Sequence, residues 1–194
     1  MKFAIIFSVA SLLLLPLARS ADDATAPDEL AIYKVLFTGK DTVVLTKPDP
    51  KAKPIELAPP DAKQDAEYSA WLKKELPGVE DATIADYRRR VLAPPLLTPN
   101  SEVGVKLVFV DQKTLDEIFR DGKDPEAGWT RFRERIHARG LTSVSRVGFN
   151  PGRTQALVFM NFSWASLGAE GYTILFERQD GKWTIKGQVM ESAS

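Results

Sequence analysis

One histidine, His137, and no cysteine at all bound the chemistry this sequence can carry. Zinc is usually held by clustered Cys, His and carboxylate ligands, and a lone histidine without cysteine does not make that set. Zinc ribbons, thioredoxin-type redox pairs and cysteine nucleophiles are excluded outright. A Ser-His-Asp arrangement needs His137 as its base, and no Gly-x-Ser-x-Gly elbow accompanies it. His137 follows Ile136 at the predicted end of a helix, where partial positive charge suits the dipole. Carboxylate pairs are the remaining acid–base route. Most acidic residues fall in predicted loops or on outer helix faces. Glu170 and Glu177 are the exceptions, since they flank or lie on a predicted strand. Gly148, Gly152, Gly168 and Gly171 read as turn and strand-end glycines rather than a phosphate loop. The sequence assigns no catalytic residue and implies no metal or cofactor.

Binding residues are a different matter. The stretch Ser163-Trp164-Ala165-Ser166-Leu167-Gly168-Ala169-Glu170-Gly171 joins two predicted hairpins and carries an aromatic. Loops on a rigid sheet are where binding residues tend to sit. Trp164 and Glu170 are therefore the candidate ligand-binding residues, with Arg146 on the neighbouring strand. The alternative for Trp164 is a cap over the edge of the core, and for Glu170 a solvent-facing strand position.

The elements that must position these residues change character along the chain. A first helix is expected from Pro27, with Leu30, Tyr33 and Phe37 on one face and Gly39 at its end. Thr42–Thr46 is a short β-branched strand. Residues 47–60 are a proline-rich connector, since proline at this density blocks helix and central strand. Helices are expected over Ala62–Leu76 and Asp81–Leu92. The run Arg88-Arg89-Arg90 then falls on the outer face near a helix C-terminus, where positive charge is favourable. Val105–Val110 is apolar on both faces and reads as a buried strand. Short helices follow over Thr114–Arg120 and from Asp124-Pro125, the second striped by Trp129, Phe132 and Ile136 and ended by Gly140.

Four strands are expected in the C-terminal third: Ser143–Phe149, Thr154–Phe162, Gly171–Arg178 and Trp183–Val189. Asn150-Pro151-Gly152-Arg153 turns between the first two. Asp180-Gly181 is a hairpin signal between the last two, because glycine tolerates the positive φ of a tight turn. Short links force antiparallel pairing. The expected class is α+β: a four-stranded antiparallel meander over 141–190, with helices from the mainly helical 27–140 packed on one face. One domain is expected over 21–194.

Residues 1–20 read as a cleavable signal peptide. Lys2 supplies the basic start. Phe3–Leu15 is an apolar run, shorter than the roughly 20 residues of a spanning helix. Pro16 breaks it, and Ala18 and Ser20 place small residues at −3 and −1. Cutting there removes two basic and no acidic residues, and leaves 24 basic against 26 acidic ones. That near balance argues against nucleic acid as the main partner. Without cysteine there is no lipid-modified anchor, so no stable membrane anchor is expected after processing. A cysteine-free exported chain suits a bacterial periplasm or secretion.

The C-terminal motifs Trp129…Phe132, Ser145-Arg146-Val147-Gly148-Phe149-Asn150, Gln155-Ala156-Leu157-Val158, Gly168…Gly171-Tyr172 and Asp180-Gly181-Lys182-Trp183 resemble those of an uncharacterised family of exported bacterial proteins. The resemblance covers about 129–190 and implies a cell-envelope location without an activity. Members often carry cysteines in the loop equivalent to 163–168; here Ser163 and Leu167 occupy that region, so no disulfide or metal role transfers.

Three functions remain in view. The first is an exported, non-enzymatic domain that binds a protein or small ligand. The second is a hydrolase that uses carboxylates or His137 in a cavity between helices and sheet. The third is an inhibitor or immunity-type protein. A pocket that gathers titratable side chains separates the second from the first.

Overall fold

The computed structural model describes residues 19–47, 62–120 and 124–193. The expected signal peptide lies outside these residues, except that Arg19 and Ser20 open the first helix. The proline-rich connector lies outside them too, apart from Lys47. Among the described residues no helix is long and apolar enough to cross a membrane.

Among the described residues the sheet has seven strands: β1 (Thr42–Thr46), β2 (Lys106–Val110), β3 (Leu141–Val144), β4 (Gly148–Phe149), β5 (Gln155–Ala165), β6 (Gly168–Gln179) and β7 (Lys182–Ala193). Their order is β2-β1-β3-β5-β6-β7, with β4 also pairing β5. β1 runs parallel to β2 and β3, and every other pairing is antiparallel. The α+β class holds, while the four-stranded meander is corrected to a larger mixed sheet. Val43, Val44 and Leu45 are all buried, so β1 needs neighbours on both edges and cover on both faces. Its partners lie about sixty and a hundred residues downstream, and no local signal in the sequence announces such pairings.

Two further strand boundaries differ from expectation. The predicted Ser143–Phe149 strand is divided into β3 and β4. The Val147 N–H turns to the Glu29 carboxylate at 3.3 Å, and the Ser145 hydroxyl bonds the Arg146 carbonyl at 2.8 Å while accepting from the Phe159 N–H. The predicted 163–171 loop is instead a tight hairpin, with Ser166-Leu167 as the turn. A register shift between Ser163 and Ala165 absorbs the extra residue. A Cβ on Gly168 would lie 2.7 Å from the Trp164 indole nitrogen, so glycine is what lets the indole cross the turn. Asp180 and Gly181 have φ of 50° and 77°, the two positive values of the expected hairpin turn.

The helices are α1 (Arg19–Leu36), α2 (Ala62–Glu75), α3 (Asp81–Arg90), α4 (Gln112–Ile118) and α5 (Pro125–Ile136). α1 begins eight residues before the expected Pro27. Pro27 therefore lies inside the helix and not at its first turn. α5 opens on the Asp124 side chain, which accepts from the Glu126 and Ala127 N–H groups at 3.1 Å. It ends at His137, whose φ is 56°, and not at Gly140. Gly140 serves a close approach instead: a Cβ there would stand 2.3 Å from the Ser163 carbonyl oxygen.

Helices cover both faces of the sheet, not one. Successive strand side chains point to opposite faces, and Ala156, Leu157 and Val158 are all fully buried. Ala156 and Val158, with Ile174, Phe176, Val43 and Leu45, pack against Ile32 and Tyr33 of α1 and Phe37 just after it. On the opposite face Leu157 and Leu175 meet Leu72 of α2, Leu76 just after it, and Ile84 and Tyr87 of α3. Beside them, Val44 and Val110 meet Leu115, Ile118, Trp129 and Phe132 of α4 and α5. The expected Trp129–Phe132–Ile136 stripe is part of that last cluster.

Candidate functional site: a basic cleft with an aromatic wall

Two helix ends and three strand residues, Thr42, Thr142 and Phe162, enclose a cleft of about 450 Å³. Gly39, at φ 80°, turns the chain out of α1 and delivers Lys40 and Asp41. His137, in the left-handed region, turns it out of α5 and delivers Ala138, Arg139 and Gly140. The parallel pairing of β1 with β3, through Leu45 and Thr142, sets these two connections side by side. Phe162 on β5, opposite Thr142 in the register, forms the wall.

Charge in this cleft is unbalanced. Lys40 and Arg139 face one carboxylate, Asp41. The Lys40 ammonium lies 5.8 Å from the centre of the Phe162 ring, within the range of a cation–π contact. Among the described residues neither Lys40 nor Arg139 forms an ion pair, whereas most arginines elsewhere do. Such a cleft attracts an anion, and its ring wall adds a flat apolar surface. His137 and Asp41 share the cleft, but no hydrogen bond joins them to each other or to a hydroxyl among the described residues. Among those residues there is also no group of three or more His, Asp or Glu side chains placed to hold a metal.

The candidate binding residues separate into two places. Trp164 is half-buried and stacks on Phe162, with ring centres 5.5 Å apart and planes 25° apart. Its carbonyl accepts from Arg133 at 3.1 Å. Glu170 stands directly across from Phe162 in the β5–β6 register. It accepts from the Tyr172 hydroxyl at 3.0 Å, and that bond is the main reason the Tyr172 phenol is held above its usual range. Trp164 thus packs on the aromatic wall, while Glu170 is the cross-strand neighbour of Phe162 and bonds Tyr172.

Arg146 does not line this cleft. It is buried in the core, with Nε 3.0 Å and 3.1 Å from the two oxygens of Glu29, which is fully buried. The Tyr33 hydroxyl adds to the cluster, 2.8 Å from Glu29 Oε1 and 2.7 Å from the Ser145 carbonyl. Burial is the chief reason the Tyr33 phenol is held well above its usual range. Glu177 pairs with Lys186 at 3.2 Å on the sheet's edge.

Lys40, Arg139 and Phe162 were not singled out by the sequence. Gly39-Lys40-Asp41 and His137-Ala138-Arg139-Gly140 look like ordinary helix ends, and Phe162 looks like one more strand aromatic. Only the helix-stop glycines marked these segments, and nothing in their spacing told that they meet.

No family model matches the chain, and neither a curated protein nor a solved structure matches it.

Proposed function

We propose that this chain is an exported bacterial envelope protein that works by binding, and that its ligand is a small anion carrying a ring. The observation that carries this reading is the Lys40 ammonium above the Phe162 ring, in a cleft where Arg139 also lacks a described counter-ion. The ring of the ligand would lie on Phe162, braced by Trp164, and its anionic group between Lys40 and Arg139. Export rests on the pattern of residues 1–20 and on the resemblance of the C-terminal motifs.

Titration of the protein with benzoate, glucuronate and benzyl alcohol, followed by NMR or calorimetry, tests it. The two anions are expected to saturate the cleft, the neutral alcohol to bind at least about tenfold more weakly, and Lys40→Ala with Arg139→Ala to remove that preference. Equal binding of benzyl alcohol, or anion binding that survives the double substitution, would overturn it.

The hydrolase reading has one observation in its favour, the presence of His137 and Asp41 in the same cleft. It requires turnover of an ester or glycoside panel that His137→Ala abolishes while anion binding persists.

A further inference from the structure

On the sheet face covered by α2 and α3, a second cleft of about 340 Å³ opens beside the C-terminal strand. Glu191 lines it. Its Oε1 accepts from the Tyr68 hydroxyl at 2.5 Å and from the Thr173 hydroxyl. Thr173 has a single proton, and that proton is spent on Glu191. The 3.1 Å contact between the Tyr87 and Thr173 hydroxyls is therefore a donation from Tyr87. All three hydroxyl protons point towards the carboxylate, directly or through one neighbour. Burial holds the Tyr68 and Tyr87 phenols above their usual range, so they stay neutral donors and add no charge.

Oε2 of Glu191 receives no hydrogen bond among the described residues, and Glu191 has no cationic partner there. The nearest positive group in the wall is Arg88. Its Nε and Nη2 each sit 2.7 Å from Asp65 Oδ1, and its guanidinium lies over the Tyr68 ring. Asp65 thus balances its charge, and Glu191 leaves the cleft net negative. The rest of the lining is aromatic and aliphatic: Tyr87, Phe159, Val91 and Leu92. Leu92 is 55% exposed and forms the apolar rim of the cleft.

We infer that this cleft binds a small primary alkylammonium ion, its ammonium on Glu191 Oε2 beside the aromatic rings and its alkyl arm along Val91 and Leu92. An ammonium against tyrosine and phenylalanine rings gains cation–π attraction in addition to the carboxylate. This site is separate from the basic cleft in both place and sign of charge, so its failure leaves the anion reading intact, and the reverse also holds.

The test is a titration of the full processed chain with n-pentylammonium, 1-pentanol and pentanoate, followed by the NMR signals of Val91, Leu92 and Tyr87. These probes share an arm and differ only in head group. Pentylammonium is expected to saturate and to bind at least about tenfold more tightly than either other probe. Glu191→Gln, at an exposed position, is expected to bring pentylammonium down to the level of pentanol. Equal affinity for pentanol and pentylammonium in the unaltered chain would overturn the inference without any variant being needed. So would full pentylammonium affinity in Glu191→Gln.

Discussion

Glu29 on α1 and Arg146 between β3 and β4 form an ion pair inside the core, both side chains at most 8% exposed. The pair joins the first helix to the point where the expected strand breaks. Both carboxylate oxygens face Nε, and the Tyr33 hydroxyl and Val147 N–H supply further bonds to Oε1. Removing one member leaves the other as an unpaired buried charge. Arg146→Met is expected to cost about 3–5 kcal/mol. The double replacement Glu29→Leu with Arg146→Met is expected to cost less than that single one. Urea unfolding of both variants checks this, and equal losses would mean that the buried charge is not the source of the cost.

The contact between α3 and β4 depends on one missing methyl group. A Cβ on Gly148 would lie 2.2 Å from the Tyr87 backbone nitrogen and 2.3 Å from its Cα. Backbone atoms in a helix do not yield as the tip of a side chain does. Gly148→Ala is expected to cost at least the roughly 1–3 kcal/mol of an overpacked core, read as a large drop in melting temperature. Gly152→Ala, where the nearest atoms stand at 3.9 Å and 4.0 Å, is the control and should stay close to the parent.

How far the sequence carried the fold can be judged from these same segments. The strands β5, β6 and β7 were legible, and so was the β6–β7 hairpin, because Asp180-Gly181 writes its own turn; the β5–β6 turn was not, since nine residues of mixed type read as a longer loop. Legible too were α2, α3 and the start of α5 at Asp124-Pro125. The pairing of β1 with β2 and β3 was not, since it depends on contacts across intervening helices. The burial of Arg146 was hidden for a related reason. An arginine beside Ser145 on a strand looks like a surface residue until Glu29, over a hundred positions earlier, is placed against it. The run Gln155–Val158 did hold a sign that both faces are covered, in its unbroken apolar Ala156-Leu157-Val158. The basic cleft left the weakest trace, because its members come from three segments with no shared spacing.

Asn150 and Gln155 tie the β4–β5 turn to the α2–α3 connection. Gln155 Oε1 accepts from the Glu80 N–H at 2.7 Å and the Thr83 hydroxyl at 3.0 Å, and its Nε2 donates to the Gly78 carbonyl at 3.0 Å. Asn150 Nδ2 donates to Glu80 Oε1 at 3.0 Å. A leucine at 155 fits the volume and strands these groups. Gln155→Leu is expected to lose about 1–3 kcal/mol and to speed amide exchange at Glu80, whose N–H loses its acceptor. Unchanged exchange at Glu80 would show that another group holds it.

Stability against alkali follows from two buried phenols, Tyr33 and Tyr87, and the half-buried Tyr68. Tyr33, Tyr68 and Tyr87 are each held above the ordinary tyrosine range, with burial as the largest cause. In the unfolded chain they lose their protons near pH of about 10. Below that value both states keep the protons, and the phenols add no pH dependence. Above it the unfolded chain binds fewer protons than the folded one, so stability falls as pH rises. Denaturant midpoints measured from pH 8 to 12 should be level at first and then decline past a pH of about 10. Tyr87→Phe removes one titrating group while keeping the ring in its core, and should make that decline shallower. It also strands no donor, since Thr173 keeps its bond to Glu191. An alkaline slope unchanged in Tyr87→Phe would assign the loss to other groups.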